Sequence, residues 1–216
     1  MNPVFPSILS TNFFDLQAKL SAFAKSRIDF IHLDIMDGHF VDNISFGPAM
    51  ARAIKEKYPF SLDVHLMVSN PAKMIPHFIE FGADWLSFHV EIDDDCEDLI
   101  GVIKKSGRRA GLVLNPDTSL ERVQPFLKKI DYILLMSVFP GFGGQKFISA
   151  TLERIRELKK KLLSQQYPCL LQVDGGITME NVSLLKEAGA DLFVIGTHLF
   201  NADNIEEKIA QFLNRL

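Results

Sequence analysis

The turn SILSTNFF, residues 7–14, decides the architecture of this chain because it holds no glycine. It links an apolar run, VFPSIL (4–9), to a stretch of helical period, NFFDLQAKLSAFAKS (12–26), in which Phe13, Leu16, Leu20 and Phe23 share one stripe. The same alternation repeats along the chain. Apolar runs recur as DFIHLDI (29–35), SLDVHLM (61–67), DWLSFHV (84–90), AGLVLN (110–115), DYILLMSV (131–138), CLLQVD (169–174) and DLFVIG (191–196). Helical stretches follow them, among them NPAKMIPHFIEFG (70–82), TSLERVQPFLKKI (118–130), ATLERIRELKKKLL (150–163) and NVSLLKEAGA (181–190). Several open on Asn, Asp, Ser or Thr in capping position, and two end on Gly82 and Gly189.

Near-continuous apolar strands alternating with helices build a parallel sheet covered on its outer face. An open, doubly wound sheet wants a glycine fingerprint in its first strand-to-helix turn, and SILSTNFF has none. The expected fold class is therefore α/β: a closed (β/α)8 TIM barrel, a single domain over residues 1–216. Its active site is expected at the C-terminal ends of the strands.

Composition narrows the partners. Hydrophobic residues make up 47% and charged residues 23%, an ordinary mixture for a soluble globular protein. With a formal net charge of -4 and no basic cluster interleaved with aromatics, neither nucleic acid nor an anionic membrane surface is an expected partner. The run KKK at 159–161 reads as a solvated helix face. Cys96 and Cys169 are too few and too far apart for a disulfide framework or a thiolate metal site. MNPVFPSILS lacks the basic and apolar regions of a signal peptide, and no apolar run approaches the ~20 residues of a membrane span. The expected location is the cytoplasm.

The polar residues fall at strand ends. In HLDIMDGHF (32–40), His32 and Asp34 stand two apart and face the same side of a buried strand. A buried carboxylate and imidazole need a partner, a proton or a metal. His65 closes the third strand and Asp174 the seventh, so two histidines and two aspartates from three strands converge on the barrel axis. Imidazole and carboxylate together suit a borderline divalent ion: zinc first, with iron, cobalt or manganese as alternatives. Singly, each would be read as a hydrogen-bonded core residue. His39, His77, His89 and His198 have no such company; His77 reads as helix surface and His89 as a satisfied core histidine.

Two further elements surround this set. DGG after strand seven (Gly175, Gly176) and GT after strand eight (Gly196, Thr197) stand where many such barrels bind phosphate. THLFNADN (197–204) can supply the short helix that accompanies such a site. SVFPGFGGQKF (137–147) carries three glycines and one proline in eleven residues, which reads as a long active-site loop.

With these residues in hand, the chain resembles the ribulose-phosphate 3-epimerase family. The resemblance rests on PSILS, HLDIMDGHFVDNISFGP, LDVHLMV, GLVLNPDT, MSVFPGFGGQKF and VDGGI taken together, and it runs on to GTHLF. It implies that His32, Asp34, His65 and Asp174 bind one catalytic divalent metal per chain, and that Asp34 and Asp174 are the acid/base pair. It implies that Ser7, His65, Gly141, Phe142, Gly143, Gly144, Asp174, Gly175, Gly176, Gly196 and Thr197 contact substrate, with Met36, Met67 and Met136 lining the site. The implied reaction is epimerisation at C3 of a ketose phosphate, D-ribulose 5-phosphate to D-xylulose 5-phosphate, in the pentose phosphate pathway. A phosphorylated ketose is then the expected partner, and the chain is expected to form a homo-oligomer.

The sequence departs from the family pattern at two places. Phe139 stands where a polar residue is more frequent, and Thr197–His198 replace a serine followed by a small residue. Threonine keeps the hydroxyl, while Phe139 leaves D-allulose 6-phosphate as an alternative substrate. A lyase or decarboxylase on the same barrel resembles a DxKxxD pattern, but here the segment reads DIMD, without the lysine.

Overall fold

In the computed structural model, which describes residues 1–26 and 28–216, each apolar run becomes a strand. These are Val4–Pro6 (β1), Phe30–Met36 (β2), Ser61–Met67 (β3), Trp85–His89 (β4), Arg109–Leu114 (β5), Tyr132–Met136 (β6), Leu170–Asp174 (β7) and Leu192–Ile195 (β8). All pair in parallel, in the order β1-β8-β7-β6-β5-β4-β3-β2. A parallel bridge between Ser7 and His32 joins β1 to β2 and brings the ends of the sheet together. The (β/α)8 barrel expected from the glycine-free first turn is the architecture observed.

The covering helices are Leu16–Lys25 (α1), Pro48–Lys57 (α2), Pro71–Glu80 (α3), Cys96–Lys105 (α4), Thr151–Ser164 (α5), Val182–Ala188 (α6), Thr197–Phe200 (α7) and Ile205–Leu213 (α8). Gly82 and Gly189 follow α3 and α6 with φ of +93° and +113°, as the sequence predicts for helix ends. Two expectations are corrected. The first helix begins at Leu16 rather than Asn12, because the Asn12 side chain accepts from the Phe14 amide and holds residues 12–15 in a turn. Phe13 thus leaves the apolar stripe, is 62% exposed, and meets only the edge of Phe46. The stretch 118–130 is not an α-helix but a 3-10 segment, Leu120–Phe126. Pro125 within it has no N–H to donate and crowds the preceding turn.

Of the three lysines 159–161, Lys160 is exposed, whereas Lys159 turns back to Asp191 at 2.6 Å and packs over Gly189. Cys169 is a free, buried thiol, its pKa pushed up to about 12 by burial, and so is unreactive at neutral pH. Among the described residues no helix is long and apolar enough to cross a membrane.

The core has two parts. A large outer layer lies between strands and helices, and a smaller one fills the barrel. At the bottom of the inner part, Phe5 stacks on Phe30 (4.6 Å), Phe30 meets Trp85 (4.9 Å) and Trp85 meets Tyr132 (4.9 Å). The Arg109 guanidinium lies 4.9 Å from the Trp85 ring centre. Gly111 makes room for this plug, since a Cβ there would stand 2.4 Å from the Tyr132 ring. Each aromatic so buried contributes roughly 2–3 kcal/mol. This plug is the floor on which the polar residues rest.

Candidate active site

Side chains two apart on a strand share a face, so β2 directs His32, Asp34 and Met36 inward and β3 directs Asp63, His65 and Met67. The register pairs His32 with Asp63, Asp34 with His65, and Met36 with Met67. On the far side, β7 brings in Gln172 and Asp174, the latter beside Met136 of β6. The four expected ligands do converge: one donor atom from each of His32, Asp34, His65 and Asp174 lies within 4.8 Å of all the others.

Asp34 Oδ1 stands 3.2 Å from His32 Nε2 and 3.1 Å from His65 Nδ1. Asp174 Oδ2 is 3.9 Å from the first nitrogen and 4.0 Å from the second. Donors each about 2.1 Å from one ion lie between roughly 3 and 4 Å apart, so this group could hold a divalent metal ion.

The surroundings fix these side chains. Asp63 accepts from His32 Nδ1 (2.8 Å), the Tyr132 hydroxyl (3.0 Å) and Gln172 Nε2 (2.7 Å). His32 therefore carries its proton on Nδ1 and turns Nε2 toward the cluster. The Ser7 hydroxyl donates to Asp34 Oδ2 at 2.5 Å, and Ser45 to the Asp34 carbonyl. Sequence reasoning missed Asp63, Tyr132 and Gln172. Asp63 and Gln172 each stand two residues before a named ligand, the same signal that singled out His32 and Asp34.

Electrostatics separate the two carboxylates. Burial pushes Asp34 up, but the charge of His32 and the two imidazoles against its carboxylate outweigh it and hold Asp34 well below the usual range. Burial and the neighbouring Asp34 charge push Asp174 up to about 8. Burial lowers His65 to about 4, whereas for His32 the attraction of Asp34 and Asp63 overrides burial and raises it. The two carboxylates thus differ in proton affinity, Asp34 favouring the ionised form and Asp174 the protonated one.

Above the cluster opens a cavity of about 330 Å³. Ser7, Asp34, Met36, Met67, Met136 and Asp174 form its inner part. Gly141, Phe142, Gly143 and Gly144 border it on one side, and Gly175, Gly176, Gly196 and Thr197 on another. His32 and His65 are fully buried and do not line it.

Glycines on this rim stand where a side chain would collide with its surroundings. Gly176 has φ +61°, and a Cβ there would fall 2.4 Å from the Phe147 amide nitrogen. A Cβ on Gly196 would fall 2.6 Å from Ser10 Oγ, a hydroxyl the sequence did not single out and which bonds Thr197 Oγ1 at 3.2 Å. The loop 137–147 is tied down by Asn43 Nδ2 to the Gly141 carbonyl (2.7 Å) and by Gln145 Nε2 to the Phe139 carbonyl (2.6 Å). Phe139 and Phe142 stand half-exposed or more on the lip of the cavity.

His89, expected as an isolated core histidine, is buried and hydrogen-bonded, but it is not isolated. Its Nε2 lies 2.9 Å from His65 Nε2.

A parallel barrel with opposed carboxylates at the strand ends and a glycine-lined rim defines a class, and solved structures share its fold. The chain is similar to 3-hexulose-6-phosphate synthase from Salmonella typhimurium, with TM-score 0.73 and 16% identity over 99% of this chain and 98% of that one. It is also similar to thiamine phosphate pyrophosphorylase from Pyrococcus furiosus, with TM-score 0.65 and 15% identity over 99% and 95%. At such identities the likeness is one of fold.

Sequence comparison goes further. The model of the ribulose-phosphate 3 epimerase family matches residues 3–200, and the chain belongs to that family. It is 41% identical to the ribulose-phosphate 3-epimerase of Aquifex aeolicus (strain VF5), over 95% of this chain and 93% of that protein. It is also 41% identical to the ribulose-phosphate 3-epimerase of Bacillus subtilis (strain 168), over 98% of both.

Proposed function

We propose that the chain is a metal-dependent epimerase that interconverts D-ribulose 5-phosphate and D-xylulose 5-phosphate. The observation that carries this reading is the pair of carboxylates, Asp34 and Asp174, which reach one cavity from β2 and β7 with opposite proton affinities. Family membership and relatives of about 40% identity named ribulose-phosphate 3-epimerase support the choice of substrate.

Inverting a carbinol carbon beside a ketone requires a proton to leave one face and another to return to the opposite face. Asp34, ionised, takes the C3 proton and leaves a cis-enediolate over C2 and C3. Asp174, protonated, delivers a proton from the other side, and the two exchange roles in the reverse direction. The Ser7 hydroxyl holds the Asp34 carboxylate in place. A divalent ion held by His32, Asp34, His65 and Asp174, with zinc the first choice and iron(II), manganese or cobalt suited to the same donors, would supply positive charge where enediolate charge develops. Met36, Met67 and Met136 exclude water yet yield to a changing substrate shape. The amides of Gly141–Gly144, Gly175, Gly176, Gly196 and Thr197 hold the phosphate, while Ser7 borders the sugar and His65, buried beneath the cavity, acts only through the donor cluster.

The DIMD segment offers no lysine to protonate a carbanion, which counts against a lyase. A longer substrate, D-allulose 6-phosphate, is the second reading. It is favoured by the exposed ring of Phe139 on the cavity lip, where sugar chain length would be read.

The test is a deuterium-exchange assay on purified protein of known metal content, with both sugar phosphates. C3 exchange and epimerisation of ribulose 5-phosphate are expected. Metal-loaded protein that exchanges neither substrate at C3 would overturn the proposal.

A further inference from the structure

We propose that His89 and Glu91 are positioning residues: they form an imidazole–imidazole–carboxylate chain that turns the Nδ1 lone pair of His65 into the donor cluster. The inference rests on the metal reading above, and concerns what makes His65 a ligand at all.

His65 has two ring nitrogens, and only one can be protonated in a neutral ring. Nδ1 faces Asp34 at 3.1 Å, and Nε2 faces His89 Nε2 at 2.9 Å. The far nitrogen of His89, Nδ1, lies 3.1 Å from Glu91 Oε2. Glu91 Oε1 accepts from the Asn115 amide at 2.9 Å and from the Thr118 hydroxyl. A carboxylate bonded in this way accepts on both oxygens, so His89 Nδ1 carries the proton of its ring. His89 Nε2 is then bare, and the single proton between the two rings belongs to His65 Nε2. That leaves His65 Nδ1 unprotonated, aimed at the cluster.

One link cannot reverse while His89 keeps its proton toward Glu91. With its proton on Nδ1, His65 would offer hydrogen instead of a lone pair to the cluster. Its bare Nε2 would then face the bare Nε2 of His89, with no water to intervene, since both rings are fully buried. The rings lie 5.0 Å apart at 29°, and Phe40 covers His89 at 4.6 Å, so neither imidazole is free to swing away. Burial alone would raise the Glu91 carboxyl, but hydrogen bonds from His89, Thr118 and Asn115 bring it to about 2, which keeps the end of the chain an acceptor. His32 is oriented by a carboxylate directly, through Asp63; His65 reaches its carboxylate through a second imidazole. Outer partners of this kind typically govern metal affinity by about 10- to 100-fold.

The experiment compares Glu91→Gln with His89→Gln. The Asn115 amide can only donate, so in Glu91→Gln the new side chain must turn its carbonyl to that amide and its NH2 to His89, which reverses the chain. The side chain introduced by His89→Gln can accept from His65 and donate to Glu91, which preserves it. Zinc dissociation constants are measured by chelator competition on the full chain, along with the visible spectrum of the cobalt-loaded protein and circular dichroism of the metal-stripped protein. Glu91→Gln, although isosteric, is expected to weaken zinc by about 10- to 100-fold and to alter the cobalt spectrum, while His89→Gln stays within a few-fold of wild type. A purely structural role predicts the opposite order, because His89 is the buried residue. Wild-type zinc affinity and an unchanged cobalt spectrum in folded Glu91→Gln would overturn the proposal, whatever His89→Gln does. Wild-type protein that binds neither zinc nor cobalt would instead overturn the metal reading on which it stands.

Discussion

On the β2–β3 side of the cavity the candidate ligands are side chains on strands, His32, Asp34 and His65, all of them buried and hydrogen-bonded to further side chains. On the β6–β8 side Asp174 also rises from a strand, but most of the lining residues belong to loops and many of them are glycines. The difference follows from what each side is suited to hold. Lone pairs for a cation come from side chains, and the strand register fixes where those fall. Donors for an anion come from backbone amides, which a ligand reaches only where side chains are absent. One side therefore depends on what each residue brings, and the other on what each residue lacks.

The contrast can be broken from the first side. Asp34→Asn and Asp174→Asn keep size but remove the base, so each is expected to lower epimerisation by about 10² or more. The variants should differ in which epimer still exchanges its C3 hydrogen with solvent. Metal content is measured on the same samples; a variant that retains metal and epimerises near the wild-type rate would defeat the two-base mechanism.

From the second side, Gly196→Val introduces bulk where Ser10 Oγ already stands. Losing one hydrogen bond to a charged group costs about 1.5–3 kcal/mol, so KM for the phosphorylated sugar should rise roughly 10- to 100-fold. Steady-state kinetics with the unphosphorylated sugar provide the control. An equal change for both sugars would argue against an anion site there.

A smaller effect tests the support beneath the cluster. Tyr132→Phe removes a buried donor to Asp63 and should lower stability by about 1–3 kcal/mol, read from urea unfolding. Replacing exposed Phe142 by Ser should leave stability within about 0.5 kcal/mol.

A further test concerns pH. Asp174 is pushed up to about 8 in the folded chain, well above its ordinary value, so folding binds its proton more tightly. That contribution is complete below about pH 4 and is lost as pH rises through about 8. In chelator, the melting temperature of wild type should fall relative to Asp174→Asn between about pH 5 and about pH 9. A gap that stays constant would mean that Asp174 titrates normally.

The sequence made much of this legible because strands report themselves by short, continuous apolar runs and ligands by spacings of two. The His32–Asp34 pair needs only the pleat to be placed on one face. What stayed hidden has both local and distant causes. Asn12 pulls Phe13 out of the helical stripe through a local turn, and Pro125 tightens what apolar spacing presents as an α-helix. The approach of His89 to His65 follows from the pairing of His65 with Ser87, a register that no local pattern encodes.

The seam of the barrel has a consequence for the order in which the protein is made. β1 finds its ladder partner in β8, and on its other side it has the Ser7–His32 bridge. A ribosome therefore releases the first strand nearly two hundred residues before the strand that will hold it. Until β8 emerges, Ser7, which reaches Asp34 from the end of β1, lacks the bond from its amide to the Ile195 carbonyl and has only the bridge to His32. The nascent chain can bring His32, Asp34 and His65 together early, but Asp174 and the glycine rim join them only with the last two strands.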